Sequence, residues 1–385
     1  MDFSSPPTEA QDPGRLPVVT RPWPAAGTTL ALSLGCAIAG SPVKLPLAVA
    51  DPAGRVAYTR NADDGIDAFD LSSGRPLWST TAAFRPLLAI DSRLLALNED
   101  RVLGFDSRGE PVFESEPLAF PDWVSVRGRT AERSDNALEV EASTKDGLLV
   151  LRWSARLRHA FGISVGPDQR GDRSATGTAD VDLETGRAEI KEGALPPPAP
   201  SPPPLLPPSF HKRPGDQMYC QLGRGGTHYG GEPVPFRTGS GSLALLALAH
   251  EGSYTLRLER WNAAGQALAP IELHVATEAP ALSVDLDRSH LLIHGESRTR
   301  VVSLETGALV GRLPSSLFAG EIKLEHGFAV LGKRLIYVAE RREPAEASGQ
   351  TPVRRFLRAV DLKSGQRAWE RPVRGFVEYP PVPGA

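Results

Sequence analysis

The chain has 385 residues, with 43 Lys and Arg against 46 Asp and Glu and a formal net charge of -3. That length can bury a substantial core, as one large domain or two to three smaller ones, and the charge balance gives no electrostatic ground for nucleic-acid binding. Two cysteines, Cys36 and Cys220, exclude a disulfide framework and form no C-x-x-C pair, while 37 glycines and 36 prolines suit a fold of many short strands and turns.

Residues 1–16 are rich in proline and acid, predict a disordered N-terminus, and lack the basic start and apolar run of a signal peptide. The apolar stretch TTLALSLGCAIAG (28–40) is too short to span a bilayer. Its Leu30, Leu32 and Leu34 alternate as in a half-buried strand, and Ser33 and Leu34 stand in the wrong order for a lipoprotein cleavage site before Cys36. With no export signal visible, the expected location is cytoplasmic, with no membrane span.

Residues 68–78, AFDLSSGRPLW, read as a strand, a polar turn closed by glycine, and a second strand bearing a tryptophan. The phrase returns as DSRGEPVF (106–113), DLETGRAEI (182–190), NAAGQALA (262–269), SLETGALVG (303–311) and AVDLKSGQRAW (359–369). Its glycines are Gly74, Gly109, Gly186, Gly265, Gly307 and Gly365, in steps of 35, 77, 79, 42 and 58 residues. Two steps are close to twice forty, so the period matches a four-stranded propeller blade. Glycine supplies the positive φ of the turn, Asp70 or Asp361 bonds the turn backbone, and Trp78 or Trp369 packs between neighbouring blades. These positions read as structural.

Between those phrases, 86–118 and 280–314 each divide into four segments of strand length, and no stretch sustains a 3.6-residue apolar period. Residues 136–159 hold an Asp146-Gly147 turn between two long alternating runs. A two-residue hairpin there places Val140 opposite Trp153 and Glu141 opposite Arg152. One face then carries Leu138, Val140, Leu151, Trp153, Ala155 and Leu157; the other carries Glu139, Glu141, Arg152, Arg156 and Arg158. The charged face is either a solvated surface with cross-strand ion pairs or a partner-binding flap projecting from the disc, with Arg152, Arg156 and Arg158 as its contacts.

The proline-rich tract at 194–208 predicts an extended insertion, either a stiff bridge between blades or a ligand for an aromatic groove. LGRGGTHYGG (222–231) lacks G-x-G-x-x-G spacing and reads as a loop. His290 and His294 are four apart, and on a strand that places them roughly 13 Å apart, too far to share a metal. RREPAEASGQTPVRR (341–355) reads as a polar loop inside the last repeat. No P-loop or G-x-S-x-G elbow is present. The chain is therefore expected to be an all-β propeller of four-stranded antiparallel blades over 17–385, non-catalytic, with no cofactor or metal. Six repeats are visible; strands near both termini (17–36 and 375–381) add a seventh, with six or eight as alternatives.

Ala68, Asp70, Ser73, Gly74 and Trp78, and again Ala359, Asp361, Ser364, Gly365 and Trp369, resemble the repeat of quinoprotein-type β-propellers, Ala-x-Asp-x-x-Thr-Gly-x-x-x-Trp. The middle copies depart from it, with Ile190 and Gly311 in the Trp position and Ser303 in the Asp position. The resemblance implies the fold. The quinone-dependent dehydrogenases of that kind resemble larger exported propellers with a vicinal cysteine pair and a calcium site, and this chain's two cysteines are not adjacent. The propeller lipoprotein of bacterial outer-membrane assembly is an alternative that requires an export signal. The hairpin LLVLRWSARLRHAFG with its return ADVDLETGRAEI resembles the propeller proteins of bacterial systems that pair a MoxR-type AAA+ ATPase with a von Willebrand A (vWA) protein. That resemblance implies an adaptor or scaffold whose partners are other proteins.

Overall fold

The computed structural model describes residues 44–61, 63–90, 93–121, 134–159, 173–192, 217–223, 226–229, 235–250, 252–277, 280–317, 327–342 and 353–373. They form six antiparallel sheets in succession along the chain, and the one helical element among them is a 3-10 turn, Ser315–Leu317. The first sheet holds β1 (Lys44–Leu45), β2 (Ala48–Ala50), β3 (Val56–Arg60), β4 (Ile66–Asp70) and β5 (Pro76–Thr80). The second holds β6 (Arg85–Ile90), β7 (Arg93–Leu97), β8 (Val102–Phe105) and β9 (Pro111–Glu114). The third holds β10 (Ser134–Lys145), β11 (Leu148–His159), β12 (Arg173–Asp182) and β13 (Ala188–Glu192). The fourth holds β14 (Gln217–Gly223), β15 (Gly226–Tyr229), β16 (Phe236–Arg237), β17 (Leu243–His250), β18 (Tyr254–Trp261) and β19 (Ala267–Ala276). The fifth holds β20 (Ala281–Val284), β21 (His290–His294), β22 (Arg298–Ser303) and β23 (Leu309–Pro314). The sixth holds β24 (Phe328–Leu331), β25 (Arg334–Arg342), β26 (Val353–Asp361) and β27 (Arg367–Val373).

The central strands are apolar at consecutive positions where both faces of a sheet are covered. On β21, Leu291 and Ile293 pack with Leu246 and Leu258 of the fourth sheet, while Leu292 between them packs with Tyr337 and Val360 of the sixth. On β7, Leu94 and Ala96 face Tyr58 and Ala68 of the first sheet, while Leu95 and Leu97 face Leu149 and Leu151 of the third. The sixth sheet meets the first directly: Leu357, Ala359 and Trp369 share a core with Ala57, Phe69 and Leu71. Four-stranded sheets packed face to face, with the last on the first, make the chain a β-propeller.

All six turn glycines have φ between +69° and +83°. Four of the turns are built alike, with the glycine N–H donating to the carbonyl four residues back, and those at Gly109 and Gly265 are one residue tighter. Gly74 N donates to Asp70 O at 2.7 Å, and the Asp70 carboxylate accepts from Ser73 N at 2.7 Å. Asp182, Asn262, Ser303 and Asp361 supply the same side-chain acceptor to their own turns. The glycine is also a seat. A Cβ on Gly74 would lie 2.5 Å from Trp369, and one on Gly109 would lie 2.7 Å from Trp78. Gly307 bears in the same way on Ile271, Gly186 on Glu114 O and Gly365 on Pro314. Each turn thus presses on the outermost strand of the preceding sheet. Gly265, in the fourth sheet, is exposed and has nothing within 4 Å of the corresponding point.

Two expectations differ from the structure, and a third falls outside the described residues. The described residues form six sheets, with the sixth in direct contact with the first; the terminal segments assigned to a seventh blade, like the N-terminal 1–16 and the proline tract at 194–208, lie outside the described residues. Residues 222–229, read as a loop, close a hairpin in which Gly223 pairs Gly226. The polar insertion begins later than 341: β25 runs to Arg342 and β26 resumes at Val353, because Arg341 and Arg354 pair across the ladder.

Alanine at Gly265 meets only the cost of a positive φ, about 1–2 kcal/mol. Alanine at Gly109 must in addition displace Trp78, which is packed between Tyr58 and Phe105 at 5.8 and 6.0 Å, and overpacking of that kind costs about 1–3 kcal/mol more. Urea unfolding of Gly109→Ala and Gly265→Ala should show the larger loss at Gly109; equal losses would mean that the seat contributes nothing.

Candidate functional site

The two ends of the sheets differ. At one end the turn between the first and second strands lies beside the turn between the third and fourth. Leu71 N donates to Arg55 O, Leu183 N to Gly147 O, Leu304 N to Ser289 O and Leu362 N to Lys333 O, at 2.8 to 3.2 Å, and the turns they join are short. The other end carries the connections from second to third strand and from sheet to sheet. The stretches 122–133, 160–172, 193–216, 318–326 and 343–352, all outside the described residues, leave from that end. The strands feeding it are also the longest: β10 and β11 have 12 residues each, β12 and β19 have 10, and β25 and β26 have 9. A rigid scaffold that gathers its long connections at one end presents its binding residues there.

In the third sheet the expected register holds. Asp146 (φ +52°) and Gly147 (φ +81°) form a turn with positive φ at both central residues, Val140 pairs Trp153, and Glu141 pairs Arg152. Leu138, Leu151, Trp153 and Ala155 are buried against the second sheet, with Phe120 meeting Trp153 edge-on at 5.5 Å. Glu139, Glu141 and Arg152 are exposed on the other face. Arg156 pairs with Ala137 and Arg158 with Asp135 in the ladder; their side chains lie outside the described residues. The hairpin is not a free two-stranded flap, because β12 runs beside β11 from Leu148 to Leu157. Among the described residues the outer strand β13 pairs with β12 only over Gly177–Val181. At the start of β6, Arg85 Nη1 donates to Leu138 O at 2.6 Å and ties the second sheet to the third. Burial, with Arg60 nearby, pulls the Arg85 guanidinium down to about 10.

Several other polar groups serve the turns. Hydroxyl bonds from Ser72 and Ser73 hold the Asp70 carboxyl below its usual range, and the backbone N–H groups of Thr185 and Ser364 do the same for Asp182 and Asp361. The buried Asp285 accepts from Ser289 N, Ser289 Oγ and His290 N at 2.7 to 2.9 Å and holds the turn before β21. Ser, His and Asp meet here, but Ser289 Oγ and Asp285 both address His290 Nδ1, at 2.8 and 3.1 Å. A catalytic relay needs the serine on Nε2 and the carboxylate on Nδ1, so this cluster is structural. His294 lies between Thr299 Oγ1 (3.3 Å) and Ser283 Oγ (3.4 Å), and burial pulls its imidazole down to about 4. Among the described residues no three His, Cys, Asp or Glu side chains converge as a metal site, and no helix is long and apolar enough to cross a membrane.

The sequence patterns missed two recurrent positions. Leu71, Leu183, Leu304 and Leu362, each following the turn acceptor, are buried and link the paired turns. Ile271 occupies the place of Trp78 and Trp369 without resembling them; it lies six residues after its turn glycine rather than four, because the ladder shifts register there, so the spacing carried no signal for it.

No protein-family model matches the chain, and no curated protein matches it in sequence. Among solved structures it is similar to BamB from Moraxella catarrhalis, at 14% identity, with 79% of this chain and 82% of that chain covered and a TM-score of 0.25. It is also similar to the quinohemoprotein alcohol dehydrogenase ADHIIG from Pseudomonas putida HK5, at 12% identity, 86% and 61% coverage and a TM-score of 0.24. A eukaryotic initiation factor aligns at 8% identity, 86% and 90% coverage and a TM-score of 0.30. The propeller architecture rests on the six sheets themselves.

His294 couples stability to pH. Its folded value near 4 lies below the ordinary 6.5, so the unfolded chain takes up the proton first as pH falls. The contribution is complete above pH 6.5 and is lost between about 6.5 and 4, on the order of 1–3 kcal/mol. Unfolding midpoints of the wild type should fall across that window, and His294→Gln should flatten the slope; parallel profiles would remove His294 as the cause.

Proposed function

We propose that the chain is a non-catalytic propeller scaffold that binds protein partners at its long-strand end. The observation that carries this is the asymmetry of the two ends. One is sealed by short paired turns, while the other gathers the long connections and the longest strands. The exposed face of the third sheet, with Arg152 and, in ladder position, Arg156 and Arg158, is the contact surface. The polar groups that could serve chemistry are spent on turns, which supports a binding role over catalysis.

The resemblance of 136–159 to the propellers of MoxR ATPase–vWA systems supplies the particular reading. The partners are then an AAA+ ATPase, which hydrolyses the ATP, and a vWA protein, in the cytoplasm. The test is reconstitution. The purified chain is mixed with the MoxR-type ATPase and the vWA protein of its own organism and run by size exclusion. A complex is expected with at least one of them, and Arg152→Glu combined with Arg156→Glu and Arg158→Glu should weaken it tenfold or more. Exposed charges contribute little to folding, so the variant should melt within a few degrees of the wild type. Separate elution of all three proteins would refute the ATPase–vWA reading, and a folded triple variant that still binds would move the contact elsewhere.

A further inference from the structure

We infer that the sixth sheet carries a docking site for an acidic segment of a partner protein, a contact distinct from Arg152 and three packed sheets away from it. The inference rests on reading the chain as a partner-binding scaffold.

Charge is concentrated in this sheet. Residues 334–342 and 353–373 carry nine basic side chains and three acidic ones. The whole chain has 43 basic and 46 acidic residues, which leaves 34 against 43 elsewhere. The sheet is therefore a basic island on an acidic protein.

The ladder then places like charges together. Arg341 pairs directly with Arg354, and strand alternation sets Phe356 and Arg358 on the same face as Arg354. The Arg341 guanidinium carbon stands 4.9 Å from the Phe356 ring centroid. One carboxylate, Glu370, meets three guanidinium groups: Arg341 at 3.3 Å, Arg358 at 2.6 Å and Arg367 at 3.4 Å. The opposite face of the same strands is ordinary, with Arg355 and Glu340 paired one to one at 2.8 Å. Like charges directly across a ladder cost stability. The Glu370 carboxylate and the Phe356 ring hold these cations side by side on one face. The Arg341 and Arg367 side chains are 49% and 57% exposed, so the stripe is open to a ligand.

Guanidinium groups bind carboxylates through two parallel N–H bonds and stack on planar faces, which matches a carboxylate-bearing ligand here. The stripe is confined to three strands. A long phosphate backbone would run off it onto the acidic remainder of the surface, whereas a short acidic segment fits within it. The site also lies at the end where β25 and β26 feed the 343–352 connection, the same end as the third-sheet surface.

The test uses a fluorescein-labelled decapeptide of Asp and Glu, read by anisotropy at about 50 mM salt, where charge pairing is weakly screened. The wild type should bind it, more weakly as salt rises. Arg354→Glu should weaken binding at least tenfold. Arg341→Gln with Arg354→Gln should do the same, and serves if the charge reversal fails to fold. Arg108→Glu, on the opposite end of the second sheet, should bind as the wild type does. No binding by the wild type, or unchanged binding by the folded glutamine variant, overturns the inference. A ten-nucleotide oligo-dT or phosphatidylserine vesicles captured more tightly through the same arginines also overturns it, in favour of a phosphate ligand. A peptide that fails while the reconstituted complex persists sinks this inference alone. A peptide that binds when neither the ATPase nor the vWA protein does sinks only that choice of partners.

Discussion

The contact on which the fold depends is a turn glycine pressed against the outermost strand of the preceding sheet. Every sheet but the third is apolar on both faces, so none can bury itself alone, and the distance between neighbours has to be set somewhere. The turn sets it. A positive φ requires glycine, and the missing Cβ lets Trp369, Trp78 or Ile271 come to van der Waals distance of the backbone. Trp369 adds a bond from its indole N–H to Leu71 O at 3.0 Å, so the same residue spaces the first and sixth sheets and fixes their angle.

The same reasoning picks out the place where the pattern stops. Gly265 has no such neighbour, and Ile190, in the Trp position of the third sheet, packs back toward the core shared with the second. Among the described residues the third and fourth sheets share no apolar cluster, while the other five junctions each have one. The third sheet therefore has one face committed to packing and one committed to charge, which is why its Glu139, Glu141 and Arg152 stand exposed.

Much of this was legible in the amino-acid order because its causes are local. A positive-φ turn demands glycine within a few residues of its side-chain acceptor, and all six such glycines were visible. The Asp146-Gly147 turn determines the pairing of Val140 with Trp153, since a two-residue hairpin admits one register. What was not legible depends on pairing over distance. Gly365 rests on Pro314 because Gly311 has no side chain to offer, a substitution invisible before the sheets meet. The third strand β12 extends the long hairpin because residues beyond 172 return to it, which no local pattern states. Arg341 and Arg354 become neighbours only across β25 and β26; in the sequence the intervening stretch reads simply as polar.

The junction of first and sixth sheets also bears on the order of events during synthesis. Arg334 and Trp369 both donate to Leu71 O, across sequence separations of 263 and 298 residues. Every other described junction joins sheets consecutive in the chain and can form as soon as the second of them leaves the ribosome. This one cannot. Ala57, Phe69 and Leu71 must wait with an apolar face uncovered until β27, whose Trp369 lies 298 residues after Leu71, is available to cover it. Closing so long a loop carries an entropic cost that only the completed sheet can offset, so ring closure is the slow, late step. Until then the nascent chain exposes a hydrophobic face beside an unfinished sheet edge, the kind of surface that chaperones occupy and aggregates grow from.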